Sequence, residues 1–295
     1  MYRSAAEWRA AKKKRILLFG MSGLGKTYVS NMLRDSGNWF HYSIDYRIGT
    51  RYMGELITDS FKKKAMEVPY LRDLLLSDSI YIASNITFDN LAPLSTYLGK
   101  PGAISKGGLS FEEYLRRQEQ HRRAEIAALL DTTHFVDRAE EIYGYENFVC
   151  DSGGSICEVV DPENPEDPVL KCLSKTTLLC WIEGSEAHRK NLIDRFNRAP
   201  KPMYYEPAFL KAKWSEYLDQ TGQSECEVDP DAFVRWTYAE ALAHRQPRYE
   251  GISRLGIRVR AEDVAALKTV TDFEELVARA CERRRQDNNV SQSRY

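Results

Sequence analysis

Residues Gly20-Met21-Ser22-Gly23-Leu24-Gly25-Lys26-Thr27 form a complete G-x-x-x-x-G-K-[ST] pattern. Their surroundings narrow the fold. Upstream, Arg15-Ile16-Leu17-Leu18-Phe19 is a short apolar run that reads as a buried strand. Downstream, Val29, Met32 and Leu33 recur at the spacing of one helix face. A strand, a glycine-rich turn and a helix start, in that order, are the context this motif needs.

The motif has a physical reading. Glycines let the chain bend until consecutive backbone N–H groups point into one hollow. The helix that follows adds its own free N–H groups and the positive end of its dipole. Lys26 is long enough to reach β- and γ-phosphates, and the Thr27 hydroxyl suits Mg²⁺. Gly20, Ser22, Gly23, Leu24, Gly25, Lys26, Thr27 and Tyr28 are therefore expected to bind a nucleoside triphosphate such as ATP, with Mg²⁺ held by Thr27.

Four further apolar runs read as strands, at 39–44, 147–150, 177–182 and 256–259. Helical patterns separate them, which predicts a mostly parallel sheet covered on both faces. About a hundred residues lie between the second and third runs, far more than a crossover needs. They include a Gly/Pro-rich stretch from Leu98 to Gly108, then a helix opened by a Ser110/Glu113 capping box. The expected organisation is an N-terminal helix at 1–14, a core at 15–51 and 145–282, a helical substrate-side insertion at 52–144 and a flexible tail at 283–295. Asp161 to Pro168 is rich in proline and acid and reads as a surface loop.

The net charge is −1, with 42 basic and 43 acidic residues, whereas nucleic-acid binders usually carry a basic excess. No apolar stretch approaches the roughly 18 residues of a membrane span. Residues 1–15 are basic but lack the apolar segment of a secretory signal. None of the six cysteines forms a C-x-x-C pair, and Cys150 and Cys180 sit in apolar runs as small core residues. A reduced, cytoplasmic protein is the expectation. The five histidines are scattered without ligand spacing and read as structural or surface residues.

Several residues suit chemistry. Asp45 ends the second strand on the ligand-binding edge of such a sheet, placed to take a proton from an attacking hydroxyl. Arg47 and Arg51, at i and i+4, suit a carboxylate or phosphate on the substrate. Asp151 closes an apolar strand in the manner of a Mg²⁺-holding carboxylate, and Gly153 and Gly154 let a ligand approach the backbone. Arg195 and Arg198 lie on a basic helix that breaks into Ala199-Pro200-Lys201-Pro202, the pattern of a closing lid. An arginine there would stabilise charge on a transferring phosphoryl group.

In this order the pieces resemble the shikimate-kinase-like branch of the P-loop small-molecule kinases. The resemblance rests on residues 20–27, Asp45, Gly153-Gly154, Arg195 with Arg198, and the Arg-x-x-x-Tyr segment Arg245 to Tyr249, and it covers about half the chain. It implies an α/β, P-loop NTPase-type three-layer fold with a mostly parallel central sheet and a large helical insertion. It also implies transfer of the γ-phosphoryl group of ATP to a hydroxyl of a small molecule. Gly153, Gly154 and Arg245 would then contact that acceptor. Ser43 stands where the family has the first of two acids, and Asp151-Ser152-Gly153-Gly154-Ser155 replaces a run of three glycines.

Two other readings are compatible with the motif. One is an ATPase or nucleotide-dependent switch that binds a protein partner through the insertion, using apolar residues between 80 and 105. The other is a nucleic-acid end kinase or kinase-type toxin, which needs a basic groove beside Asp45, with Lys62-Lys63-Lys64 as the candidate run and a solvated helix face as the cheaper reading.

Overall fold

Each predicted apolar run becomes a strand to within one residue at either end: β1 (Arg15–Phe19), β2 (Trp39–Ser43), β3 (Asn147–Asp151), β4 (Leu178–Glu183) and β5 (Ile257–Arg260). In the computed structural model, which describes residues 2 and 4 to 292 and side chains through residue 287, they form one all-parallel sheet. The order is β2-β3-β1-β4-β5. Parallel strands need crossover connections, which helices supply.

In chain order the helices are α1 (Ala5–Ala10), α2 (Lys26–Asp35), α3 (Ile44–Arg47), α4 (Gly54–Met66), α5 (Pro69–Leu76), α6 (Ala92–Leu98), α7 (Phe111–Leu130) and α8 (Thr132–Glu141). They continue as α9 (Ile156–Val159), α10 (Pro168–Thr176), α11 (Glu186–Arg198), α12 (Pro207–Thr221), α13 (Pro230–Ser253), α14 (Ala261–Ala265) and α15 (Val270–Gln292). Among the described residues, no helix is long and apolar enough to cross a membrane.

The chain divides into two compact units. The first is Met1–Ile44, Leu129–Arg198 and Tyr238–Tyr295, and it holds the sheet. Ile16, Leu17, Leu18 and Phe19 have no solvent exposure, as expected of a strand covered on both faces. α1, α2 and α15 pack together over the sheet, and α8 packs with α10 as a second helical group on it. The result is a P-loop NTPase-type three-layer α/β arrangement. Trp8 anchors α1, its indole N–H donating to the Glu274 carbonyl at 3.0 Å. Cys150 and Cys180 are buried on β3 and β4. The loop at 161–167 ends with Asp167 capping α10, its carboxylate accepting from the Leu170 N–H at 2.8 Å.

Two expectations change. Residues 283–292 are helical, where a flexible tail was expected; 293–295 lie outside the described residues. The buried stripe of Phe273, Leu276, Val277, Ala280 and Cys281 anchors α15, and Arg283, Arg284, Arg285 and Gln286 are good helix formers that extend it. The boundaries of the expected insertion also shift. α8 belongs to the sheet unit, because Val136 and Ala139 are buried there. Residues 199–237 belong to the helical unit instead.

That second unit is Asp45–Ala128 and Ala199–Thr237. Its core is aromatic: Trp214 stacks on Phe111 at 4.7 Å and meets Phe233 edge-on at 4.9 Å. The capping box at α7 forms by half. The Glu113 N–H donates to Ser110 Oγ at 3.3 Å, while the Glu113 carboxylate pairs with Arg116 and Arg117. Lys62 and Lys64 on α4 pair with Asp59 and Glu67, a solvated face. Tyr81 and Ile104 are exposed, but Leu94 and Leu98 are core residues.

Candidate functional site

The carboxyl end of β1 runs into a loop shaped by three glycines with positive φ: Gly20 at 137°, Gly23 at 82° and Gly25 at 96°. Only glycine adopts these angles readily. At Gly20 space adds a second requirement, because a Cβ there would stand 2.5 Å from the Ile182 carbonyl oxygen of β4. Gly25 then caps α2, so the free N–H groups of that helix open onto the loop.

Lys26 is buried and folds back over the loop, its ammonium donating to the carbonyls of Gly20 at 2.9 Å and Met21 at 3.0 Å. The next residue turns the other way. The Thr27 hydroxyl donates to Asp151 Oδ2 at 2.8 Å. Strand register makes that meeting possible, since Leu18 of β1 pairs with Asp151 of β3. Burial pushes the Asp151 pKa up, opposed by the Lys26 charge and the Thr27 hydroxyl. Two hard oxygen groups thus meet beside the glycine loop, a donor set that fits Mg²⁺.

Beyond β3 the chain presses against the loop. A Cβ on Gly154 would lie 2.9 Å from Ser22 Oγ. The Gly154 carbonyl accepts a hydrogen bond from the Tyr249 hydroxyl of α13. Close approach by the protein's own Ser22 is therefore what glycine permits here.

α11 follows β4. The Arg195 guanidinium lies against Gly23, with Nη2 only 2.8 Å from where a Cβ would be. Arg198 does not join it: its Nε donates to the Asp194 carbonyl of its own helix at 3.3 Å, in solvent. The two arginines thus part, although i, i+3 spacing suggested a shared target.

Arg245 also departs from expectation. It is enclosed in α13 and its Nε donates to Glu158 Oε1 at 2.5 Å, with Glu158 fully buried. A buried cation needs a counter-charge, and Glu158 meets that need internally.

A pocket of about 270 Å³ adjoins the loop, lined by Leu24, Tyr28, His188, Val264 and Ala265. The Tyr28 hydroxyl is engaged with the Leu267 carbonyl at 2.9 Å. His188 Nδ1 accepts from the Ser185 N–H at 3.2 Å and lies 3.4 Å from Glu262. Sequence reading set this histidine aside. Its one signal is a position five residues past β4, which means nothing until the pocket is seen.

Asp45, Arg47 and Arg51 belong to the second unit. Asp45 lies in the first turn of α3, two residues past the end of β2. The chain then winds into a π-helical turn, Ile48–Tyr52, in place of a regular α-helical face. Such turns are rare and concentrate at functional segments. The Arg47 guanidinium lies 5.5 Å from the Tyr52 ring centre, and Arg51 is exposed.

No family model matches the chain, and no curated protein matches it. Among solved structures, shikimate kinase from Bacteroides thetaiotaomicron is similar at 17% identity, with 90% of this chain and 95% of that chain covered. The TM-score is 0.37, too low to carry an argument about this chain.

Proposed function

We propose that this chain is an ATP-dependent phosphotransferase that moves the γ-phosphoryl group to a hydroxyl of a small molecule. The observation that carries the reading is the Thr27–Asp151 pair, 2.8 Å apart, beside a loop bent by three positive-φ glycines. Lys26 would turn from the Gly20 and Met21 carbonyls to β- and γ-phosphate oxygens. Thr27 and Asp151 would hold the metal. Magnesium, when bound, neutralises charge on the phosphate oxygens during transfer. The apolar pocket beside Gly25 suits a nucleobase, and Arg195 at Gly23 suits the outer phosphates.

Asp45 is assigned as the group that orients the acceptor hydroxyl and takes its proton, with Arg47 and Arg51 on the acceptor's anionic groups. The test is a screen of hydroxylated metabolites for acceptor-stimulated ADP release. Asp45→Asn should bind nucleotide normally yet lose about 10²-fold or more in transfer, the usual scale of a lost general base. Full transfer by Asp45→Asn would remove Asp45 from this role.

A partner-binding ATPase is the second reading, favoured by the exposure of Tyr81 at 88% and Ile104 at 75% in the second unit. Slow hydrolysis indifferent to every acceptor would select it.

A further inference from the structure

β5 ends the sheet, so among the described residues no strand pairs with its outer side. An open strand edge is a template for another extended chain. Its four residues alternate cleanly: Ile257 and Val259 are buried, while Arg258 and Arg260 are exposed. Charge of this kind is also a common means of blunting an edge. Blunting, however, needs no groove, and here a groove of about 720 Å³ runs beside the strand from Gly256 to Arg260. One wall is the last described turns of α15, and the other is the turn between α13 and β5.

The groove carries more arginines than carboxylates. Arg254, Arg258, Arg260, Arg283 and Arg284 line it, against the carboxylates of Glu183, Asp263 and Asp287. The chain as a whole carries −1, so this is a local excess. The existing pairs are exchangeable. Arg258 is 3.4 Å from Glu183, Arg254 is 3.1 Å from Glu163 and Arg260 is 2.9 Å from Asp263. All three arginine side chains are at least half exposed, and exposed pairs contribute only about 0–1 kcal/mol. Arg258 also lies over the Trp181 ring at 4.7 Å, which fixes its guanidinium beside the edge.

We propose that the open edge of β5 receives an extended acidic peptide, which pairs its main chain with the strand and its carboxylates with these arginines. On the outer edge the N–H and C=O groups come from every second residue, about 6.6 Å apart, a repeat that another extended peptide matches. Among the described residues, the groove lining contains no aromatic ring on which a nucleic-acid base could stack. This inference is independent of the nucleotide reading.

The test uses the full chain and fluorescence anisotropy. The probe is a short labelled peptide of alternating Glu and Val. It should bind, weaken as salt rises, and lose binding when alternate amides are N-methylated. The Arg283→Glu, Arg284→Glu double variant should bind it about tenfold more weakly or worse with an unchanged thermal midpoint. Peptide binding should also slow amide exchange at 257–260, a readout that needs no variant. Three results would overturn the proposal: no binding by the acidic peptide, equal binding by its N-methylated form, or tighter binding by a single-stranded oligonucleotide.

Discussion

Gly154 illustrates how little freedom the phosphate loop has. It lacks positive φ, so any residue could take its backbone shape, yet a Cβ would meet Ser22 Oγ at 2.9 Å. Gly154→Ala should therefore push Ser22 and disturb the nest. We expect nucleotide affinity to fall about tenfold, near 1.4 kcal/mol, with little change in thermal midpoint. Fluorescent-nucleotide titration checks it, and unchanged affinity would show that Ser22 moves freely. At this scale the loop was legible, because its chemistry requires fixed residue types at fixed spacing. Asp151 was legible for a similar reason, an acid closing an apolar run. Arg245 and His188 were not. Arg245 pairs with Glu158, 87 positions away, and one sequence does not display such a pairing. His188 acquires meaning only from a pocket formed by residues around Leu24 and Val264.

Among the elements, the part of α13 beyond Tyr238 acts as a clamp on the segment after β3. Arg245 pairs with Glu158, Arg248 donates to the carbonyls of Cys157 and Val160, and Tyr249 donates to that of Gly154. Burial holds the Tyr249 pKa well above its ordinary value, which keeps the hydroxyl a donor. Glu158→Gln would leave the buried Arg245 without its counter-charge. Such a loss costs about 3–5 kcal/mol, and urea unfolding should show it as a lower midpoint. A midpoint unchanged within error would mean that the pair contributes no net stability. The strands were legible because a buried parallel strand is a short apolar run. The π-turn after α3 and the helicity of 283–292 were not: the first is a hydrogen-bonding choice, and the second depends on an anchor upstream.

For the whole molecule, acid is the expected weakness. Burial, with Arg34 nearby, lowers the His41 pKa to about 4, and burial lowers that of His121 to about 4. In the unfolded chain both would titrate near 6.5. Between those values the unfolded state binds more protons, so stability is full above about pH 6.5 and is lost as pH falls toward 4. For His41 the loss reaches about 3 kcal/mol. Urea midpoints measured across that range should fall with acid, and His41→Gln should flatten the slope. The division into units was the least legible feature, since residues 199–237 join a body begun 154 positions earlier at Asp45. Sequence distance does not encode that return. The central claim concerns the nest of Gly20, Gly23 and Gly25 with Lys26, Thr27 and Asp151, and calorimetric titration with magnesium and ATP tests it most directly. The account predicts saturable, magnesium-dependent heat that Lys26→Ala abolishes while the variant stays folded. An absence of heat at millimolar nucleotide, or equal heat from Lys26→Ala, would contradict it.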